Sequence, residues 1–154
     1  MEQNTKIPPA LDESVFLSYS EEDTRELAKE LATKIHPPLF ILLKGELGTG
    51  KTSFTRYLVE ALGYKGVVNS PSFALHQIYE IKRNLNFHHL DLYRLQNEHY
   101  EELFSFTQAE DNFIAAVEWP EIAEGYILSL GYPVLFLHFR YYSQGRQIII
   151  KNFS

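Results

Sequence analysis

The stretch that most constrains this chain runs from Leu39 to Thr52. A continuous apolar segment, Leu39-Phe40-Ile41-Leu42-Leu43, enters Lys44 and Gly45, and four residues (Glu46, Leu47, Gly48, Thr49) separate Gly45 from Gly50-Lys51-Thr52. This is the G-x-x-x-x-G-K-[ST] pattern of a phosphate-binding loop between a strand and a helix. Glycines let the backbone curl so that successive N–H groups face an anion. The helix beginning near Lys51 adds its positive dipole end and its unpaired N–H groups. Lys51 reaches the β- and γ-phosphates as a point charge, and Thr52 offers its hydroxyl to Mg²⁺. A glycine-rich turn that merely joins a strand to a helix would match the same eight residues. The buried strand before the loop and the helix-forming run Ser53 to Leu62 after it weigh against that reading.

The remaining elements follow from periodicity and punctuation. Ser14 to Tyr19 reads as a short strand. Ser20 with Glu21-Glu22-Asp23 forms a capping signal, and Leu27, Ala28, Leu31 and Ile35 recur at helical spacing up to His36-Pro37-Pro38. Strand 39–43, the loop and helix 51–62 come next, closed by Gly63. Residues 72–81 and 85–93 read as a hairpin around Lys82-Arg83-Asn84, and 97–106 as an acidic helix. Phe113 to Val117 is wholly apolar, as in a strand buried on both faces. A helix is expected over 120–129. Strands 134–142 and 147–152 are joined by Ser143-Gln144-Gly145-Arg146. The expected fold class is α/β: a single P-loop NTPase-like domain with a mixed central sheet flanked by helices. Residues 1–12 are expected to form a flexible tail and 13–154 the domain.

Composition narrows the function. The formal net charge is −6 and no Lys/Arg run occurs, which disfavours unaided nucleic-acid binding. With no cysteine there is no disulfide framework, thiolate metal site or thiol nucleophile. No signal pattern opens the chain and no apolar run approaches a membrane span, so a soluble, cytoplasmic protein is expected.

Two acids stand where a strand can deliver them to bound phosphate. Glu118 closes the apolar run 113–117, and Asp91 lies in His88-His89-Leu90-Asp91-Leu92-Tyr93-Arg94. On a strand His89, Asp91 and Tyr93 share one face, whereas His88 and His89 face opposite sides and cannot easily ligate one ion. His89 is expected to be a hydrogen-bond partner near Asp91. Arg56, Arg94 and Arg146 are candidates to stabilise phosphate charge, although a surface role is the default for any one of them. Trp119 is either core or an exposed contact.

Four segments in this order resemble the TsaE (YjeE) family: Gly45 to Thr52, Asn69-Ser70-Pro71-Ser72-Phe73, His89 to Leu95, and Val117-Glu118-Trp119-Pro120-Glu121. The resemblance implies an ATPase that uses ATP and Mg²⁺ to drive turnover of a TsaB–TsaD complex making threonylcarbamoyladenosine at position 37 of tRNAs reading ANN codons. The tRNA is met only through the complex. It implies phosphate contacts from Gly45, Glu46, Leu47, Gly48, Thr49, Gly50, Lys51 and Thr52. Glu118 joins Thr52 at the metal, Asp91 is at the nucleotide site, and Lys51, Asp91 and Glu118 carry catalysis. Ser72 resembles a switch toward the γ-phosphate, and Glu21, Thr24 and Arg146 lie where the family encloses the base. The chain departs from the family at Ser72, which replaces threonine but keeps a hydroxyl, at Thr49, and over 96–111. Two other classes remain open on the residues alone: a small P-loop kinase acting on a metabolite, and a nucleotide-gated binding module without catalysis.

Overall fold

The computed structural model describes residues 12–68, 75–95 and 100–153. Seven strands make one sheet: β1 (Asp12–Ser18), β2 (Leu39–Gly45), β3 (His76–Lys82), β4 (Leu85–Asp91), β5 (Phe113–Glu118), β6 (Val134–Tyr142) and β7 (Gly145–Phe153). Their spatial order is β1-β7-β6-β2-β5-β4-β3. β2 pairs in parallel with both β5 and β6, and β4 pairs in parallel with β5. The pairs β1–β7, β6–β7 and β3–β4 are antiparallel. The expected mixed sheet is therefore present.

Strand alternation divides the core in two. Leu39, Ile41 and Leu43 of β2 face helices α1 (Glu21–Lys34) and α2 (Lys51–Ala61), where Leu27, Phe54, Leu58 and Val59 cover them. Phe40 and Leu42 face the opposite layer, built from Phe104, Phe106, Ala123 and Ile127. Every residue of β5 is buried, which explains its unbroken apolar run. Burying each large side chain in this way contributes about 1.5–3 kcal/mol. The central strands are thus the rigid frame on which the loops stand.

Helix α1 starts as its sequence predicts. Ser20 caps it by accepting from the Asp23 N–H at 3.1 Å, and Asp23 accepts from the Tyr19 N–H at 2.9 Å. Helix α2 ends at Gly63, whose φ of 111° favours glycine.

Three expectations need correction. Strand β4 ends at Asp91 rather than Tyr93, because the Tyr93 N–H turns back to Asp91 Oδ1 at 3.0 Å. Tyr93 therefore leaves the strand face. In place of an acidic helix, a 3₁₀ turn (Tyr100–Phe104) precedes a four-residue helix α3 (Phe106–Ala109), with 96–99 outside the described residues. Phe104 and Phe106 both reach the second core, and residues two apart cannot share a face of one α-helix. The helix expected over 120–129 is broken at Ala123 into a 3₁₀ turn (Pro120–Ile122) and α4 (Glu124–Ser129). Trp119 before it has φ 56°, a sharp reversal at the end of β5. The strand expected over 72–81 is described from His76, and 69–74 lie outside the described residues. Among the described residues no helix is long and apolar enough to cross a membrane.

Candidate functional site

β1, β6, β2, β5 and β4 all run the same way, because β1 is antiparallel to β7 and β7 to β6. Their carboxyl ends therefore lie along one edge of the sheet, where open α/β folds bind ligands. Gly45, Asp91, Glu118 and the turn after Tyr142 all reach that edge.

The loop after β2 is shaped by glycine and held by the distant hairpin β6–β7. Gly45 has φ 146°, and a Cβ there would lie 2.5 Å from the Phe139 carbonyl oxygen. At Gly48, φ 79°, a Cβ would lie 2.8 Å from the Tyr141 hydroxyl. Three successive carbonyls are engaged: Glu46 O accepts from Thr49 Oγ1 at 2.7 Å, Leu47 O from the Tyr141 hydroxyl at 2.9 Å, and Gly48 O from Arg146 Nη2 at 3.2 Å. The carbonyls of Leu47 and Gly48 are thereby tied to the β6–β7 hairpin. Helix α2 begins after Gly50 with no side-chain cap, which leaves its N-terminal donors to a ligand.

Lys51 is 5% exposed. Its Nζ donates to the Gly45 carbonyl and to Glu46 O at 3.2 Å, and it lies 4.1 Å from the centre of the Trp119 ring. Burial lowers its pKa, opposed by the charges of Glu118, Asp91 and Glu121. Trp119 in turn packs on Tyr93 at 4.8 Å. A cavity of about 240 Å³ opens among Lys51, Thr52, Asp91, Tyr93, Glu118 and Trp119.

Thr52 Oγ1 is 3.0 Å from each carboxylate oxygen of Glu118. Glu118 Oε2 also receives His89 Nε2 at 2.7 Å, and both residues are buried. Asp91 is the direct register partner of Glu118 across β4 and β5. Burial raises the Asp91 pKa, and the neighbouring Glu118 adds to the rise, while the Tyr93 N–H works against it. His89 is a hydrogen-bonding residue near Asp91 as expected, and its partner is Glu118. His88 faces the opposite side as expected. It bonds His76 at 2.8 Å and Glu110 at 2.9 Å, stacked on Phe106.

Among the described residues no group of three or more His, Cys, Asp or Glu side chains is arranged around a metal position. The donor set here is one hydroxyl and one carboxylate beside an open cavity. That suits Mg²⁺, which takes few protein ligands and completes its shell with phosphate oxygens and water.

On the other side of the loop lies a second cavity of about 290 Å³, bordered by Ser18, Glu21, Thr24, Tyr57, Gly145 and Arg146. Gly48, Gly50 and Ser53 line both cavities. Glu21 accepts from the Tyr57 hydroxyl at 3.0 Å, and Thr24 shares a hydrogen bond with Ser18 at 2.7 Å. The structure thus brings Glu21, Thr24 and Arg146 to one pocket, joined to the loop. Ser72 lies outside the described residues. Arg94 is exposed in the turn after β4, and Arg56 lies over Tyr57. Sequence reasoning did not pick out Ser18, Tyr57 or Tyr141. Only the strand order that sets β1 and β6–β7 beside the loop identifies them. Trp119 is neither plain core nor a free surface contact, but a wall of the site, and its adjacency to Glu118 was the available signal.

A family model described as threonylcarbamoyl adenosine biosynthesis protein TsaE matches residues 18–148. Proteins described as tRNA threonylcarbamoyladenosine biosynthesis protein TsaE are similar in sequence. The one from Rickettsia conorii is 40% identical over 106 residues, 67% of this chain and 59% of its own length. That from Aquifex aeolicus is 40% identical over 104 residues, 66% and 73%, and that from Bacillus subtilis 35% over 103 residues, 67% and 64%. The matched region spans about three-fifths of the length of the Rickettsia conorii and Rickettsia felis relatives, 59% and 60%. The crystal structure of Bacillus subtilis YdiB shares the fold, with a TM-score of 0.73 at 24% identity, covering 93% of this chain and 87% of that one.

Proposed function

The chain belongs to the TsaE family, and on that premise we propose that it is an accessory ATPase of tRNA threonylcarbamoyladenosine biosynthesis. It binds Mg-ATP and hydrolyses it to drive turnover of a TsaB–TsaD complex, meeting tRNA only through that complex. The observation that carries this reading is the meeting of Thr52 with Glu118 at 3.0 Å in the cavity that also holds Lys51. The net charge of −6 fits a protein that leaves RNA contact to its partners.

The chain's own residues divide the work. The backbone N–H groups of the glycine loop and the start of α2 receive the phosphates. Lys51 exchanges the carbonyls of Gly45 and Glu46 for phosphate oxygens, a stronger charge-assisted pairing. Thr52 and Glu118 would hold Mg²⁺, which when bound would neutralise charge developing on the transferred phosphoryl group. Asp91, whose carboxyl is more basic than an exposed one, stands beside Glu118 to orient the attacking water and accept its proton. Glu21, Thr24 and Arg146 border the pocket for the base and ribose.

Reconstitution with TsaB and TsaD tests the proposal. The wild-type chain should support repeated ATP-dependent tRNA modification with release of phosphate, and Lys51→Ala should abolish it. Full multi-turnover modification with Lys51→Ala would overturn the mechanism. Labelled γ-phosphate recovered on a small acceptor would instead indicate a kinase. Nucleotide-dependent binding to the complex without phosphate release would indicate a gated binding module.

A further inference from the structure

His89 lies in the interior of β4, between Gln77 and Ala116 in register, with 1% of its surface exposed. A buried position between two strands is ordinarily filled by an apolar side chain, because each ring nitrogen there needs a partner. One nitrogen has a good one: Nε2 lies 2.7 Å from Glu118 Oε2. The other has none. Nδ1 is buried without a hydrogen-bond partner. An imidazole that leaves half its polar capacity unused is a poor choice for packing alone.

The same carboxylate meets Thr52 Oγ1 at 3.0 Å from each oxygen. A carboxylate on a two-bond stem rotates about its terminal bonds, and that rotation has to be stopped if its oxygens are to face a cation shared with Thr52. The contact with Thr52 does not stop it once the hydroxyl oxygen turns to a metal. Among the described residues, the remaining hydrogen-bond partner of the carboxylate is His89. Because an ionised carboxylate only accepts, the bond places hydrogen on Nε2 of His89.

We propose that His89 is a positioning residue for the metal end of this site: its Nε2–H holds the Glu118 carboxylate turned toward Thr52 and so raises the affinity for Mg²⁺ alongside nucleotide. The inference rests on the nucleotide reading above. It assigns His89 no contact with substrate and no proton transfer. Its action goes entirely through Glu118.

The test compares His89→Leu, His89→Asn and His89→Gln in the full chain. Glutamine can place an amide N–H where Nε2 stands, whereas asparagine is too short and leucine has no donor. Binding of a slowly hydrolysed ATP analogue is followed by calorimetry across a Mg²⁺ series and in EDTA, with thermal unfolding of the nucleotide-free proteins alongside. The half-saturating Mg²⁺ concentration should rise by about tenfold or more for leucine and asparagine, the scale of losing an outer-shell partner. Glutamine should remain within about twofold of wild type, and binding in EDTA should be unchanged in all three. Should leucine fail to fold, the asparagine–glutamine contrast still decides. Mg²⁺ titrations that superimpose on wild type, or equal losses for asparagine and glutamine, would overturn the proposal while leaving the nucleotide reading intact. Absence of Mg²⁺-dependent nucleotide binding by the wild-type protein would overturn both.

Discussion

Thr52 and Glu118, 66 positions apart in the chain, meet with the threonine hydroxyl 3.0 Å from both carboxylate oxygens. One residue opens α2 and the other closes β5, so the contact exists because β2 and β5 are parallel neighbours in the sheet. Thr52→Val keeps the side-chain shape and removes the hydroxyl. Stability should fall by about 1 kcal/mol, the scale of one hydrogen bond. Nucleotide binding in Mg²⁺ should weaken by about tenfold, which corresponds to ~1.4 kcal/mol. Binding in EDTA should change by less than about twofold. Titration under both conditions checks this; an equal loss in both would assign the hydroxyl to the phosphates rather than the metal.

Trp119 is the single tryptophan of the chain, and its ring faces the Lys51 ammonium at 4.1 Å. If Lys51 leaves the loop carbonyls for a phosphate, the charge over the ring moves. Intrinsic fluorescence should therefore change saturably on adding ATP, and the change should be lost in Lys51→Ala. Trp119→Ala removes a contact made in the nucleotide-free protein, so it should cost that form about 0.5–2 kcal/mol of stability, the range of one cation–π contact. A fluorescence signal insensitive to bound nucleotide would show that the lysine stays where it is.

Gly145 closes the pocket on the Glu21 side. A Cβ there would lie 2.3 Å from the Ser18 carbonyl oxygen and 2.8 Å from the Tyr19 ring. Backbone cannot yield as a flexible side-chain tip does, so Gly145→Ala should separate β1 from the β7 end of the hairpin. The expected loss is about 1–3 kcal/mol in denaturant unfolding, together with weaker nucleotide binding. The neighbouring Gln144 is exposed, and Gln144→Ala should stay within about 0.5 kcal/mol of wild type. Equal stability for both variants would refute the close approach.

Asp91 gives a pH signature. Burial raises its pKa above the ordinary 3.8, so in the window above that value the folded protein binds more protons than the unfolded chain. Stability contributed by this group is present at low pH and falls as pH rises through the raised value. Asp91→Asn keeps the acceptor for the Tyr93 N–H and removes the charge. It should be more stable than wild type at neutral pH, with the advantage vanishing as pH drops below the ordinary carboxylate range, measured by urea unfolding across a pH series. His76, lowered to about 4 chiefly by burial, acts in the opposite sense, with stability lost as pH falls from 6.5 toward that value. The difference between variant and wild type, in which His76 cancels, is therefore the quantity to follow. A difference independent of pH would show that Asp91 carries no such burden.

The parts of the site legible in the chain are those carried by near neighbours. The spacing from Gly45 to Thr52 specifies a loop between strand and helix because glycine dihedrals and a helix N-terminus are local properties. Ser20 and Asp23 cap α1 within four residues, and the unbroken run from Phe113 to Val117 marks a strand buried on both faces. The mixed sheet followed from the hairpins. The irregular stretch from Tyr100 to Ala109 was not legible, because aromatic packing of Phe104 and Phe106 into a common core overrides local helix preference.

The chain by itself determined that a glycine loop carrying a lysine and a threonine would join a strand to a helix, and that Asp91 and Glu118 would sit at strand ends. It did not determine that these two acids are register partners, that His89 bonds Glu118 and not Asp91, or that Tyr141 and Arg146 hold the loop carbonyls. Those relationships depend on which strands lie side by side, and strand order is set by burial over the whole sheet, not by any residue's neighbours along the chain. The sheet that places β5 between β2 and β4 is what turns separate motifs into one site.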